Sequence, residues 1–420
     1  MAADRPPEAL TDAVERRVDE SVDRLLTLLS FDTTNPPGDT RAIADAVEER
    51  FAALGVETER VVADPAKPNL LATIPGASDR TLLYNGHFDT VPYNAAAWDH
   101  DPLGERAGDR IYGRGATDMK GALAALLTVA SAYVQTGTRP PVTLQFAFVS
   151  DEEIAGAPGL PTLVDSGRLD ANWCVIGETT CERGRHSVTV ADKGSVWLTL
   201  TADGTAAHGS RPVLGVNAID RLYDAVERIR REFGTEQFEL APEIEAIVSE
   251  SVEYYAPTLG EATARDLFAY PTINLGSIEG GDSVNSVPAS ATARLDIRLT
   301  AGVQTRDVLR GIRDCAADCE GIRIEDVSWS VGTYESLDSP LVTAVTEAAG
   351  AVTGDRIFRR SATGGGDAKK LRNAGIPTVE FGLGTDTVHA VDEYTTVDAL
   401  RDNALVYATL PYRLAGAGGE

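Results

Sequence analysis

The sequence predicts an α/β protein in which a helix-covered sheet is interrupted by a smaller α+β unit. Three observations carry that reading. The 420 residues exceed what one compact core usually holds, so two or more domains are expected. Short apolar runs alternate with helical stretches up to Ile176. The pattern changes near Lys193 and resumes after Val331.

Taken in order, residues 11–30 and 40–54 have helical periodicity, the second closing at Gly55, with the loop Asn35-Pro36-Pro37-Gly38 between them. Asn69–Ile74 and Thr81–Tyr84 read as strands, Lys120–Tyr133 as a helix, Val142–Val149 and Trp173–Ile176 as buried strands. From Lys193 the order is strand Ser195–Ala202, helix Val216–Glu232, strands Thr272–Ile278 and Ala291–Leu299, helix Thr305–Asp318 and strand Ile322–Trp329. That is a complete βαββαβ unit. Residues 234–268 are acidic and weakly patterned, an insertion with some helix. The first pattern then returns with helix 340–352, the loop Thr363-Gly364-Gly365-Gly366-Asp367, helix 368–374, strand Pro377–Gly382 and helix 396–411. The expected domains are therefore 1–191 with 333–420, and an inserted 192–332.

The chain carries 64 acidic against 38 basic side chains, a net charge of −26. So acidic a surface repels nucleic acid and anionic membranes, and neither is expected as a partner. The only lysines are Lys67, Lys120, Lys193, Lys369 and Lys370. Few lysines with many carboxylates fit adaptation to a high-salt cytoplasm, or simply an acidic protein. The segment Met1 to Glu20 has no apolar core of a secretory signal, and the longest apolar runs fall short of a membrane span. Four cysteines are too few for a disulfide scaffold, and Cys315 and Cys319 read as packed thiols. A reducing cytoplasm is the expected setting.

The chemistry-bearing residues gather after strands. His87 leaves the strand Thr81–Tyr84, with Asp89 two residues on, where a carboxylate can orient a metal-bound imidazole. Asp151-Glu152-Glu153 follow Val142–Val149, and Glu178 follows Trp173–Gly177. Asp118 stands at a helix start, and His389 follows the strand Pro377–Gly382. Each has an ordinary alternative: an N-cap for Asp118, an exposed acidic loop for 151–153. Glu152 and Glu153 share a site only if the chain leaves strand geometry, since adjacent strand side chains face opposite ways. Together, two imidazoles and three carboxylates suit a pair of zinc, cobalt or manganese ions with one carboxylate bridging. Such a pair can hold a hydroxide and polarise a carbonyl, with a further carboxylate moving the proton.

The segments GHFDTVP, GRGATDMKG, SDEE, IGE, AAHGSRP, GGDSVNSVP and TVHAVDE run in order from residue 85 to 393. In this the sequence resembles the co-catalytic metallohydrolases that include acetylornithine deacetylase, succinyl-diaminopimelate desuccinylase, glutamate carboxypeptidase and aminoacylase. The resemblance implies a mixed-sheet, zinc-peptidase-like catalytic domain with a ferredoxin-like lid or dimerisation domain. It implies that His87 and Glu178 hold one metal, Glu153 and His389 the other, that Asp118 bridges, and that the Asp118–Met119 peptide is cis. Asp89 would orient His87, and Glu152 would be the general acid/base. His208 would stabilise the oxyanion, across a homodimer. Asn285, Arg298 and the loop Gly364-Gly365 would contact substrate, although an Arg in a strand can simply pair with an Asp. Gly366 stands where many such enzymes have Thr or Ser. The implied reaction is hydrolysis of the amide of an N-acyl amino acid, with a carboxypeptidase or dipeptidase as the alternative and a non-catalytic binding protein as the remote one. His100 and His186 match no ligand position.

Overall fold

The computed structural model describes residues 5–416; the first and last four, which the sequence assigns to the ends of the first domain, lie outside the described residues. The chain divides into two compact units. One is Met1–Val190 with Glu335–Arg359 and Gly366–Glu420; the other is Ala191–Tyr334 with Arg360–Gly365.

A nine-stranded mixed sheet dominates the first unit. Its order is Thr58–Val61, Asn69–Ile74, Thr143–Val149, Thr81–His87, Trp173–Ile176, Thr378–Glu380, Arg185–Ala191 and Ile357–Ser361, with Cys181–Glu182 beside Arg185–Ala191. The four strands Thr143–Val149, Thr81–His87, Trp173–Ile176 and Thr378–Glu380 run parallel to one another. Their C-terminal ends therefore fall along one edge, where open α/β sheets place their sites. Leu82, Leu83, Tyr84, Phe146, Ala147 and Phe148 are all buried, as expected of strands covered on both faces.

The helix Lys120–Thr136 is buried at every position from Lys120 to Tyr133, a core helix without a polar face. It can lie close on the sheet because Gly86, in a strand, and Gly177, just after one, lack side chains. A Cβ on Gly86 would stand 2.5 Å from Met119 and Leu123, and one on Gly177 would stand 2.7 Å from Ala122. Met119, and Asp118 before it, are thereby seated against the strand ends.

The second unit is a four-stranded antiparallel sheet, ordered Thr272–Gly280, Ser290–Leu299, Gly194–Asp203, Ile322–Ser330. Helices Ala218–Phe233 and Thr305–Ala317 bury Leu222, Val226, Ile229, Leu309 and Ile312 against Val196, Leu198, Ala293 and Ile297. The chain order of these elements is βαββαβ. Residues 234–268 form two helices, Pro242–Leu259 and Glu261–Ala269, sharing a small core of Val252, Ala264 and Phe268.

Several elements escape the sequence reading. The first helix breaks at Arg16–Arg17 into Glu8–Glu15 and Val18–Leu29. Thr58–Val61 and Ile357–Ser361 close the two edges of the large sheet; with Arg60, Arg359 and Arg360 in them they lack an apolar run. Glu105–Ala107, Arg110–Tyr112 and Tyr394–Thr396 pair into a separate sheet of three-residue strands, too short to show a period. Among the described residues no helix is long and apolar enough to cross a membrane.

Candidate metal centre

Register sets the site. His87 is the last residue of its strand and lies opposite Val149. Asn85 lies opposite Ile176, so Glu178, two residues beyond, comes level with His87. After Val149 the strand stops, and Asp151 adopts φ +64°, which breaks the alternation and lets Glu152 and Glu153 turn to one site. The helix begins at Lys120 with Met119 as its N-cap and no side-chain capping bond, so the Asp118 carboxylate is not a cap. The Asp118–Met119 peptide is cis, and His389 stands at φ +60° in a loop.

These side chains converge on Asp118. His87 Nε2 lies 3.2 Å from Asp118 Oδ1 and 3.1 Å from Glu178 Oε1. His389 Nε2 lies 3.0 Å from Asp118 Oδ2 and 3.3 Å from Glu153 Oε2. Each imidazole thus faces one oxygen of Asp118 and one glutamate of its own. The donor atoms of His87, Glu152 and Glu178 also fall within 4.8 Å of one another. Glu152 is therefore beside the cluster, on the side of His87 and Glu178.

A second layer holds this arrangement. His87 Nδ1 donates to the Asp89 backbone carbonyl at 2.9 Å, leaving Nε2 to face the carboxylates. The Asp89 carboxylate is farther, 3.6 Å. The resemblance implies the orienting role for Asp89, and of its groups the backbone carbonyl is the one within hydrogen-bond distance of the ring. The carboxylate instead accepts the backbone N–H groups of Glu152 and Glu153 at 3.1 and 3.2 Å and the Asn35 amide at 2.8 Å. Asn35 also donates to Asp151 at 2.9 Å, and Lys67 pairs with Asp151.

Two further supporting residues were not singled out from sequence. Glu393 Oε1 accepts the N–H groups of Gly115, Thr117 and Asp118 at 3.0–3.1 Å. Arg114 donates to Glu393 Oε2 at 2.5 Å and to the carbonyls of His389 and Ala390 at 3.2 and 3.1 Å. They join the loop of Asp118 to the loop of His389. Both sit inside quoted motifs, GRGATDMKG and TVHAVDE, and that was the available signal.

The electrostatics call for cations. Burial opposes ionisation of Asp118, yet His389 and His87 hold its carboxyl well below the usual range. Burial likewise opposes protonation of His87, but Asp118 and Glu178 hold its pKa well above the ordinary value. Asp118 and then Glu153 raise His389 to about 10. Burial, then Asp118, drives Glu178 well upward. Burial pushes Glu152 up to about 8, with Asp367, Asp118 and Glu153 adding to it against His87. Four carboxylates so close repel one another unless positive charge lies among them. Two nitrogens, each flanked by two carboxylate oxygens, are a donor set that fits a pair of divalent ions.

The other expected residues belong to the second unit. His208 Nδ1 accepts the Ser210 N–H at 3.2 Å and contacts Ser210 Oγ at 2.8 Å. Gly209 N–H donates to the Asn285 carbonyl at 2.7 Å, so His208 and Asn285 lie side by side. Arg298 is not near them in sequence register; it grips Asp296 with Nε at 2.8 Å and Nη2 at 3.0 Å. The Gly364 carbonyl accepts the Lys193 N–H at 3.2 Å, and the space beside Gly364 is open. Gly366 is in the first unit, where a Cβ would stand 3.3 Å from Glu152 Oε1. His100 bonds Glu105 at 3.0 Å and stacks on Tyr112, and His186 lies 3.6 Å from Asp355.

A family model described as Peptidase family M20/M25/M40 matches residues 83–413. A succinyl-diaminopimelate desuccinylase of Caulobacter sp. (strain K31) is 30% identical over 386 residues, 89% of this chain and 91% of that protein. An acetylornithine deacetylase of Aliivibrio salmonicida is 32% identical over 305 residues, 71% of this chain and 73% of that protein. Among solved structures, an M20 family metallo-carboxypeptidase from Sulfolobus solfataricus superposes with a TM-score of 0.78 at 23% identity, over 94% of this chain and 99% of that one. Human carnosine dipeptidase 1 does so with a TM-score of 0.72 at 18% identity, over 98% and 100%. These structural likenesses establish the fold.

Proposed function

The chain belongs to peptidase family M20/M25/M40 and is a metal-dependent hydrolase, and from that premise we propose that it hydrolyses the amide bond of an N-acyl amino acid, in the manner of a deacetylase or desuccinylase. The observation that carries the reading is the division of Asp118, one oxygen to His87 and the other to His389, with Glu178 and Glu153 completing each side. His87 and Glu178 would hold one ion, His389 and Glu153 the other, and Asp118 would bridge. Zinc suits these donors best, with cobalt or manganese as substitutes. Bound there, the pair supplies Lewis acidity and a water acidic enough to attack at neutral pH.

Glu152 takes the proton from the attacking water as the new C–O bond forms. It then delivers that proton to the amide nitrogen as the C–N bond breaks, leaving a carboxylate and a free amine. Burial raises its pKa above the ordinary carboxylate value, the direction that favours handing the proton on to the amine. Asp89 fixes the backbone from which Glu152 reaches. In the second unit the Ser210 N–H points at His208 Nδ1, which keeps the proton on Nε2 as a donor for the oxyanion. Asn285, Gly364 and Gly365 would contact the substrate, and Arg298 would do so by exchanging Asp296 for a substrate carboxylate. We assign the second unit as lid and dimerisation domain, with His208 serving the partner's site. The excess of carboxylates over lysines is read as a high-salt adaptation.

A panel of N-acetylornithine, N-succinyl-diaminopimelate and simple dipeptides, each with added zinc or cobalt, tests the substrate class. The expected result is release of the amino acid from an acyl derivative. Hydrolysis of dipeptides alone would replace this reading with the dipeptidase one. Glu152→Ala should lose about 10²–10⁴-fold in kcat while still binding metal.

A further inference from the structure

Helices Val18–Leu29 and Arg41–Ala53 border a cleft of about 350 Å³, floored by Leu28, Val47 and Leu127. Leu127 lies seven residues into the helix that starts at Lys120, about 10 Å along its axis, so the cleft is separate from the metal centre. Two arginines line it, and they differ. Arg24, with a side chain only 10% exposed, donates to Thr128 Oγ1 at 2.7 Å and pairs with Glu20 Oε2 at 2.8 Å. Arg50 reaches the same Glu20 oxygen only at 3.9 Å, and its Nε is buried with no hydrogen-bond partner. Burial and then the neighbouring Arg50 charge lower the Arg24 pKa to about 10, so the two guanidinium groups sense each other. Asp23, exposed on the same wall, has neither a hydrogen bond nor an ion pair from its carboxylate among the described residues.

The cleft thus offers a guanidinium held only by one long ion pair, an exposed carboxylate with no protein cation on it among the described residues, and an apolar floor. Arg24 and Arg50 are balanced by Glu20 and Asp23, so a simple anion gains little from the net charge. A ligand carrying both charges gives each of Arg50 and Asp23 an oppositely charged partner. We propose that this cleft binds a free α-amino acid with an apolar side chain, its carboxylate on Arg50, its ammonium on Asp23 and its side chain on Leu28, Val47 and Leu127. The volume is at the small end of ligand sites and holds a molecule of leucine's size.

Calorimetric titration of the zinc-loaded protein with L-leucine tests this, with 4-methylpentanoate, which lacks the ammonium, and leucinamide, which lacks the carboxylate, as comparisons. Leucine should bind, and each comparison compound should bind about tenfold or more weakly. Arg50→Gln and Asp23→Asn should each weaken leucine about tenfold, with hydrolytic activity unchanged and the melting temperature near that of the parent protein. Leucine held at the metal centre would instead survive Arg50→Gln and vanish in Asp118→Ala. That result, absence of leucine binding, or equal binding of 4-methylpentanoate, overturns the proposal.

Discussion

Glu393 accepts the backbone N–H of Asp118 at 3.0 Å, so the residue that divides the two imidazoles is itself held by a buried carboxylate. Burial and then Asp118 raise Glu393 to about 7, while the Asp118 N–H, Arg114 and the Thr117 N–H oppose the rise. Removing this support should disturb metal binding without removing a ligand. Glu393→Ala is expected to weaken metal binding about 10–100-fold, the usual cost of losing such a partner. Titration with zinc under a competing chelator measures it. An unchanged affinity would show that the loop 114–118 holds its shape unaided.

The split of Asp118 predicts unequal metal content in variants. His389→Ala should retain about one ion per chain, because His87, Glu178 and one oxygen of Asp118 remain together. Asp118→Ala should retain fewer, because both sides lose an oxygen. Elemental analysis after gel filtration gives the count. Two tightly held ions in His389→Ala would mean that His389 is not a ligand.

If His208 serves the partner's site, two inactive chains should repair each other. His208→Ala mixed with Glu152→Ala should recover a fraction of the parental activity through heterodimers with one intact site. Recovery is measured after subunit exchange has been verified by mass spectrometry. Exchange without recovery would place His208 in its own chain's chemistry or outside it.

Lys193 gives a pH dependence in the second unit. It is fully buried, its Nζ is bonded to the Leu267 carbonyl, and the Phe268 ring lies 5.1 Å away. Burial, and then Arg298, lower its pKa to about 8. Between about 8 and the ordinary lysine value, the unfolded chain binds a proton that the folded one does not. Raising the pH through that window therefore favours the folded state, and the gain is lost as pH falls through about 8. Urea midpoints measured from pH 8 to 10 should rise more in the parent protein than in Lys193→Met. Parallel slopes would show that Lys193 does not titrate differently on folding.

Much of the site was legible because its parts occupy ordered motifs at strand ends. The pairing of His87 with Glu178, which the family resemblance implied, rests on a register that brings two parallel strands level. Less legible was how Glu152 and Glu153 could face one way. The answer is the positive φ of Asp151, a backbone conformation that no side-chain pattern announces. The supporting roles of Glu393 and Arg114 were hidden because hydrogen bonds to backbone groups leave no periodic trace.

By itself the sequence determined the α/β class, the interrupted order of elements and the residue types of a metal centre, because these follow from local periodicity and motif order along the chain. Only the tertiary structure decided which oxygen of Asp118 faces which imidazole. Those are distances between groups far apart in sequence, and they exist only once parallel strands align and the glycines at 86 and 177 let the helix at Lys120 close on the sheet.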